Sequence, residues 1–132
     1  MNLEGNYTNL ERESLFFDSY AFFEILRENR NYERYKDFEI VTTKLNLFEL
    51  YLGILRESNE KNAQIVLDKY YPFVVDFDEN VIRNAAKLKH SLNKRDISMT
   101  DCMGYSLAKQ LGIKFLTGDD AFRDLDNVEF VK

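Results

Sequence analysis

Apolar residues follow two rhythms along the chain. Five short runs, LFF at 15–17, FEIVTT at 38–43, PFVVDF at 72–77, IKFLT at 113–117 and VEFV at 128–131, are compact and rich in β-branched or aromatic residues. Runs of that kind predict strands. Between them the apolar positions recur every three or four residues, which predicts helices. AFFEILREN places Phe22, Ile25, Leu26 and Asn29 on one side, and NYERYKD after it either continues the helix or forms a loop. LNLFELYLGILRE (45–57) places Leu45, Phe48, Leu52 and Leu55 together, and the next segment does the same with Ala63, Val66, Leu67 and Tyr70. Asp78 is positioned to cap a helix whose stripe is Val81, Ile82, Ala85, Leu88 and Leu92. Ser98 and Asp101 have capping-box spacing ahead of CMGYSLAKQLG, and Gly112 stands where a helix ends. DDAFRDL is a turn or a short helix.

Strands that alternate with helices imply an α/β protein, with a central, mostly parallel sheet covered on both faces in three layers. In such sheets ligands bind beyond the carboxyl ends of the strands. The chain's 132 residues suit a single domain. We place that domain at 14–132, after a polar extension at 1–13. With one proline and five unclustered glycines there is no linker and no repeat.

Composition narrows the chemistry. No apolar run nears the roughly 20 residues that span a bilayer, and the amino terminus lacks the basic start and apolar stretch of an export signal. A cytoplasmic location is the expectation. One cysteine, Cys102, excludes an internal disulfide and is expected to pack as a small buried residue. With His90 as the single histidine, a zinc site has too few nitrogen and sulfur ligands. The net charge of −5 argues against broad electrostatic capture of nucleic acid but leaves room for a local basic face. Lys87, His90 and Lys94, with Lys89 and Arg95 nearby, form one such face, and Arg27, Arg30, Arg34 and Lys36 form another. The first face suits contact with a phosphate backbone and the second that or an acidic partner segment, with a solvated helix face the plainer reading of both.

Four acids change the picture. Asp18 follows LFF directly, and burying an unpaired carboxylate there is costly. Asp119 follows the IKFLT strand after a Thr-Gly turn, Asp101 lies in the first turn of its helix, and Glu49 sits one turn into the helix after the second strand. Each also has a plainer reading: Asp18 as a strand-end turn or helix cap, Asp101 as the capping-box acid, Asp119 or Asp120 as turn residues, and Glu49 as a solvated position, which its apolar surroundings make less natural. Their distribution over separate strand–helix junctions predicts one shared edge of the sheet. Like charges about 4 Å apart repel by on the order of 4 kcal/mol at an effective dielectric near 20, so the cluster must take up protons or a cation. Oxygen-only ligands suit Mg²⁺ or Mn²⁺.

FFDSYAFFEIL, TTKLNLFELYLGIL, ISMTDCMGYSLAKQLGIKFLTGDDAF and NVEFV, in this order, resemble the PIN-domain ribonucleases, especially VapC-type toxins of toxin–antitoxin pairs. The resemblance spans about residues 14–132 and departs from the family only in the extension. It implies a PIN-like α/β/α fold and a Mg²⁺- or Mn²⁺-dependent endoribonuclease site. Carried over by position, the catalytic acids are Asp18, Glu49, Asp101 and Asp119, with Asp18, Asp101 and Asp119 as metal ligands. Ser19 and Thr117 support them by hydrogen bonds. Asp119 is favoured over its neighbour Asp120. The family also implies an RNA substrate, a small cognate antitoxin and a homodimer. The alternative is a non-catalytic PIN-fold protein that binds RNA or a partner.

Overall fold

The computed structural model describes residues 13–132, so the predicted extension lies outside the described residues except for Glu13. Strand β1 (Ser14–Phe17) leads into helix α1 (Ser19–Leu26) and a 3-10 segment at Arg30–Asp37. Strand β2 (Glu39–Val41) precedes α2 (Lys44–Glu57) and α3 (Glu60–Tyr70). Helices α4 (Glu79–Ser91) and α5 (Met99–Leu111) follow, then β3 (Lys114–Thr117), a short turn of 3-10 helix at Asp120–Phe122, and β4 (Val128–Phe130). The four strands lie in the order β2-β1-β3-β4 and every pairing is parallel.

Alternation along the strands builds the layers, because successive side chains leave opposite faces. Leu15, Phe17 and Leu116 join one core, with Phe22 of α1, Leu47, Leu50 and Ile54 of α2 and Tyr70 of α3. Phe16 and Phe115 face the other way, stacked with ring centroids 5.6 Å apart. They pack with Val81 and Ala85 of α4 and Cys102, Leu107 and Ala108 of α5. The α/β/α sandwich is as predicted, and Cys102 is the buried packing residue expected of it.

Helix caps follow the sequence closely. Thr43, Asn59 and Asp78 each accept a backbone N–H at the start of α2, α3 and α4. Ser98 and Asp101 close a reciprocal capping box on α5, and Gly112 ends that helix in the left-handed conformation at φ 72°. NYERYKD, open between helix and loop, is a 3-10 segment that buries Tyr32 and Tyr35.

Two predictions fail for physical reasons. PFVVDF is not a strand: Tyr71–Phe73 is a 3-10 turn with Pro72 inside it, and only Val74 forms a bridge, to Thr42. Proline has no N–H to give a ladder, so this segment follows the β2 edge without extending the sheet. Helix α2 also turns a different side inward. Phe48 is 68% and Leu55 41% exposed, while Asn46, Leu47, Leu50 and Ile54 are buried. A helix apolar on most sides offers two stripes of equal period, and packing selects between them. Here the ring of Phe23 lies where a Cβ on Gly53 would stand, 2.3 Å away. Ile82 and Leu26, each placed with its helix's apolar positions in the sequence, are likewise exposed.

Candidate active site

The register of the two central strands creates the site. Phe17 pairs with Leu116, so β1 and β3 end side by side, and the Asp18 N–H donates to the Leu116 carbonyl at 3.2 Å. Asp18 occupies the cap position of α1, yet its side chain makes no capping bond. The carboxylate turns to the strand ends instead, and it is only 2% exposed. Thr117 Oγ1 donates to Asp18 Oδ2 at 2.7 Å. Oδ1 is buried, and no donor among the described residues reaches it in hydrogen-bond geometry.

The group that faces Asp18 is another carboxyl, Asp101. Burial pushes Asp18 well above the usual carboxylate range, the charge of Asp101 pushes it further, and the Thr117 bond opposes both. Burial raises Asp101 as well, against its bonds with Asp18 and Ser98, and the charge of Glu49 adds to the rise. Asp101 therefore caps its helix and faces Asp18 at once. Its Oδ2 accepts the Ser98 N–H at 3.3 Å, while its charge is felt at Asp18. Among the described residues, no lysine or arginine forms an ion pair with Asp18, Glu49 or Asp101.

Glu49 arrives from α2, where Ser19 Oγ donates to its Oε1 at 2.7 Å. Asn46 Nδ2 donates to the same Ser19 oxygen at 3.1 Å, and Thr43 Oγ1 donates to Asn46 Oδ1 at 2.7 Å. Asn46 escaped the reading of the sequence. Its signal was the three-residue spacing of Thr43, Asn46 and Glu49, which sets three polar groups along one side of an otherwise apolar helix.

Asp119 is held less directly. Its N–H donates to Thr117 Oγ1 at 3.1 Å, so one hydroxyl joins the backbone of Asp119 to the carboxylate of Asp18. Its Oδ1 accepts the Ala121 N–H at 3.0 Å and caps the short 3-10 turn. Between them Gly118 has no room for a side chain. A Cβ there would stand 2.3 Å from the Val131 carbonyl oxygen and 2.4 Å from the Tyr20 ring. Asp120 turns away and pairs with Arg123 at 2.9 Å and Lys132 at 3.2 Å.

The structure thus couples Asp18, Asp101 and Glu49 electrostatically and ties Asp119 to them through Thr117. Among the described residues, no three acids form a ready-made metal cage. The donor set nonetheless fits a hard dication. Among the described residues Asp18 Oδ1 is a buried acceptor lacking a donor, its neighbours are oxygen groups, and no basic side chain neutralises them. Mg²⁺ keeps much of its water and commonly needs only one or two carboxylates from the protein.

Part of each basic face is committed elsewhere. Arg95 makes a two-armed pair with Asp124 at 2.7 and 2.9 Å, and Lys89 donates to the Ile97 carbonyl at 2.6 Å. Arg27 pairs with Glu24 and Glu57, Lys36 pairs with Glu33, and Arg34 lies over the Tyr35 ring. No helix among the described residues is long and apolar enough to cross a membrane.

A parallel α/β/α sandwich with unneutralised acids at the carboxyl ends of its central strands defines a class of site that several α/β families share. The family is settled by sequence: the PIN domain matches residues 15–128, and the chain belongs to the PIN domain family. No curated protein matches the chain in sequence. Solved structures share the fold at low identity. VapBC2 from Rickettsia felis, bound to a DNA fragment from its promoter, superposes with a TM-score of 0.68 at 17% identity over 89% of this chain and 97% of that one. A toxin–antitoxin complex from Klebsiella pneumoniae gives 0.67 at 11% over 86% and 94%. FitAcB from Neisseria gonorrhoeae gives 0.62 at 20% over 81% and 88%.

Proposed function

We propose that this chain is a Mg²⁺- or Mn²⁺-dependent endoribonuclease and acts as the toxin of a toxin–antitoxin pair. The observation that carries the reading is the buried Asp18 carboxylate, which has one oxygen without a donor and Asp101 in place of a cation beside it. Such an arrangement is unstable unless a proton or a dication enters. Family membership supports a nuclease, and the toxin–antitoxin complexes that share the fold support a small protein antitoxin as partner. A homodimer and a cytoplasmic location belong to the same reading.

In this reading Asp18 and Asp101 hold the ion and Asp119 stands beside them. Bound there, the ion would supply Lewis-acid polarisation of a phosphodiester and a more acidic water. The protein's own groups do the rest. Thr117 keeps Asp18 oriented by donating to Oδ2, and the capping box keeps Asp101 at the head of α5. Glu49, held by Ser19 through Oε1, keeps Oε2 for a water near the scissile phosphate.

Cleavage of a structured RNA in Mn²⁺ tests the proposal, with Asp18→Asn and Asp101→Asn beside the parent protein. Loss of cutting in both variants is the expected result. Equal cutting by all three proteins points to a contaminating nuclease and overturns it. RNA binding by the parent protein with no cleavage in Mn²⁺ selects the non-catalytic alternative.

A further inference from the structure

We infer that Asn46 is a positioning residue for Glu49, setting through Ser19 the direction in which hydrogen bonds run into the site. The inference rests on Glu49 belonging to that site. Asn46 is 0% exposed, and every polar atom of its side chain is engaged. Its backbone N–H donates to Thr43 Oγ1 at 3.3 Å, and the Thr43 hydroxyl donates back to Asn46 Oδ1 at 2.7 Å. With the amide oxygen so occupied, Nδ2 faces Ser19 and donates to Oγ at 3.1 Å.

An amide nitrogen can only donate, so Ser19 Oγ accepts, and its single proton is left for Glu49 Oε1, 2.7 Å away. Polarity is imposed from the buried end outward. Turning the amide over reverses each link. The Ser19 proton would then go to the amide oxygen, and Ser19 Oγ would face Glu49 Oε1 with no hydrogen between them unless Glu49 carried one. The orientation of the amide therefore directs the Ser19 proton to Glu49 Oε1 and holds that one oxygen. No described side chain donates to the other oxygen.

Asn46→Ala, made alone and in a Glu49→Gln background, tests the inference with a fluorophore–quencher RNA in Mn²⁺. Loss of a partner that orients a site residue commonly costs about 10–100-fold. Asn46→Ala is expected to lower kcat by that factor, with KM changed less than about twofold, and to cause no further loss once Glu49 is replaced. An equal loss in both backgrounds marks a merely structural asparagine and overturns the inference. A second readout needs neither metal nor cleavage. In the metal-free protein the Asn46 side-chain NH₂ resonances are expected to exchange slowly and to shift on Ser19→Ala and on Glu49→Gln, and resonances unmoved by both substitutions overturn the inference. If Glu49→Gln leaves kcat unchanged, the catalytic reading of Glu49 fails while the resonances still report on the hydrogen-bond relay.

Discussion

Two groups of aspartates sit on this molecule under opposite conditions. The loop after β3 carries Asp120, Asp124 and Asp126, and each has found basic partners. Asp120 pairs with Arg123 and Lys132, Asp124 with Arg95, and Asp126 with Lys109. Hydrogen bonds from Arg123, Arg95 and Tyr105 respectively hold all three below the usual carboxylate range. At the ends of the central strands the same residue type is treated in reverse. Among the described residues Asp18 and Asp101 have no basic partner, and burial holds both above the usual range. The outer acids are ordinary surface electrostatics. The inner pair keeps an unfavourable state that the fold does not relieve, and perturbed acids of that kind mark functional sites.

The contrast predicts substitutions of opposite sign, and the largest effect falls at Asp18. Asp18→Asn keeps the acceptor for Thr117 and presents an amide N–H₂ toward Asp101. Cleavage is expected to fall by more than about 100-fold, since even partners outside the ligand shell cost 10–100-fold. The metal-free protein should become more stable, by on the order of 1–3 kcal/mol, because a buried acceptor without a donor is removed. Thermal melting in EDTA reads this directly, and a melting point lowered by the substitution contradicts the repulsion argument.

Divalent ions should act only on the inner group. A ligand at a hundred times its Kd stabilises the folded state by about 2.7 kcal/mol if it binds that state alone. Mn²⁺ is expected to raise the melting temperature of the parent protein at neutral pH and to leave Asp18→Asn unmoved. An equal rise in both proteins would place the ion elsewhere, for instance on the outer loop.

The pH dependence separates the groups again. Asp18 and Asp101 are raised in the folded state, so the stability they contribute is fully present below the unfolded value of 3.8 and is lost as pH rises through their folded values. Asp120, Asp124 and Asp126 are lowered, so their contribution is present above 3.8 and is lost as pH falls through their folded values. In EDTA the melting temperature is therefore expected to rise as the solution is acidified from neutral toward pH 4 and to fall below it. Cleavage moves the other way on the upper limb, because protons and the dication compete for the same oxygens. A metal-free melting temperature that falls steadily from pH 7 to pH 4 would show the inner pair to be ionised without penalty.

Much of the candidate site is legible in the sequence, and the gaps in that reading have physical causes. Asp18 and Asp101 were found because a charge directly behind LFF and a capping-box acid are visible in the sequence itself. The phase of α2 was not visible. Leu45, Phe48, Leu52 and Leu55 have the same period as the buried Leu47, Leu50 and Ile54, and periodicity gives no preference between them. Asn46 was hidden for the same reason, since its meaning depends on which side of α2 meets Ser19. PFVVDF reads as a strand by composition, yet Pro72 and a 3-10 turn leave one bridge. Asp119 meets Thr117 and caps the 3-10 turn while Asp120 is drawn off by Arg123 and Lys132, a difference that neighbouring sequence positions do not reveal.

The smallest expected effect is the control that gives the comparison its force. Arg95 ties the loop before α5 to the loop after β3, by its pair with Asp124 and by donating to the Ala121 carbonyl at 3.0 Å. Those loops carry Ser98 with Asp101 on one side and Asp119 on the other, so the pair borders the site without entering it. Exposed pairs of this kind add little to stability and are screened by salt. Asp124→Asn is expected to lower the melting temperature slightly, by less in high salt, and to leave the Mn²⁺ response and cleavage intact. The sign is what matters: one aspartate lost from the outer loop weakens the fold, whereas one lost from the inner pair strengthens it. Should Asp124→Asn abolish cleavage while the Mn²⁺ response survives, the outer loop holds more than Asp119 for the reaction, and the division between the two groups has been drawn in the wrong place.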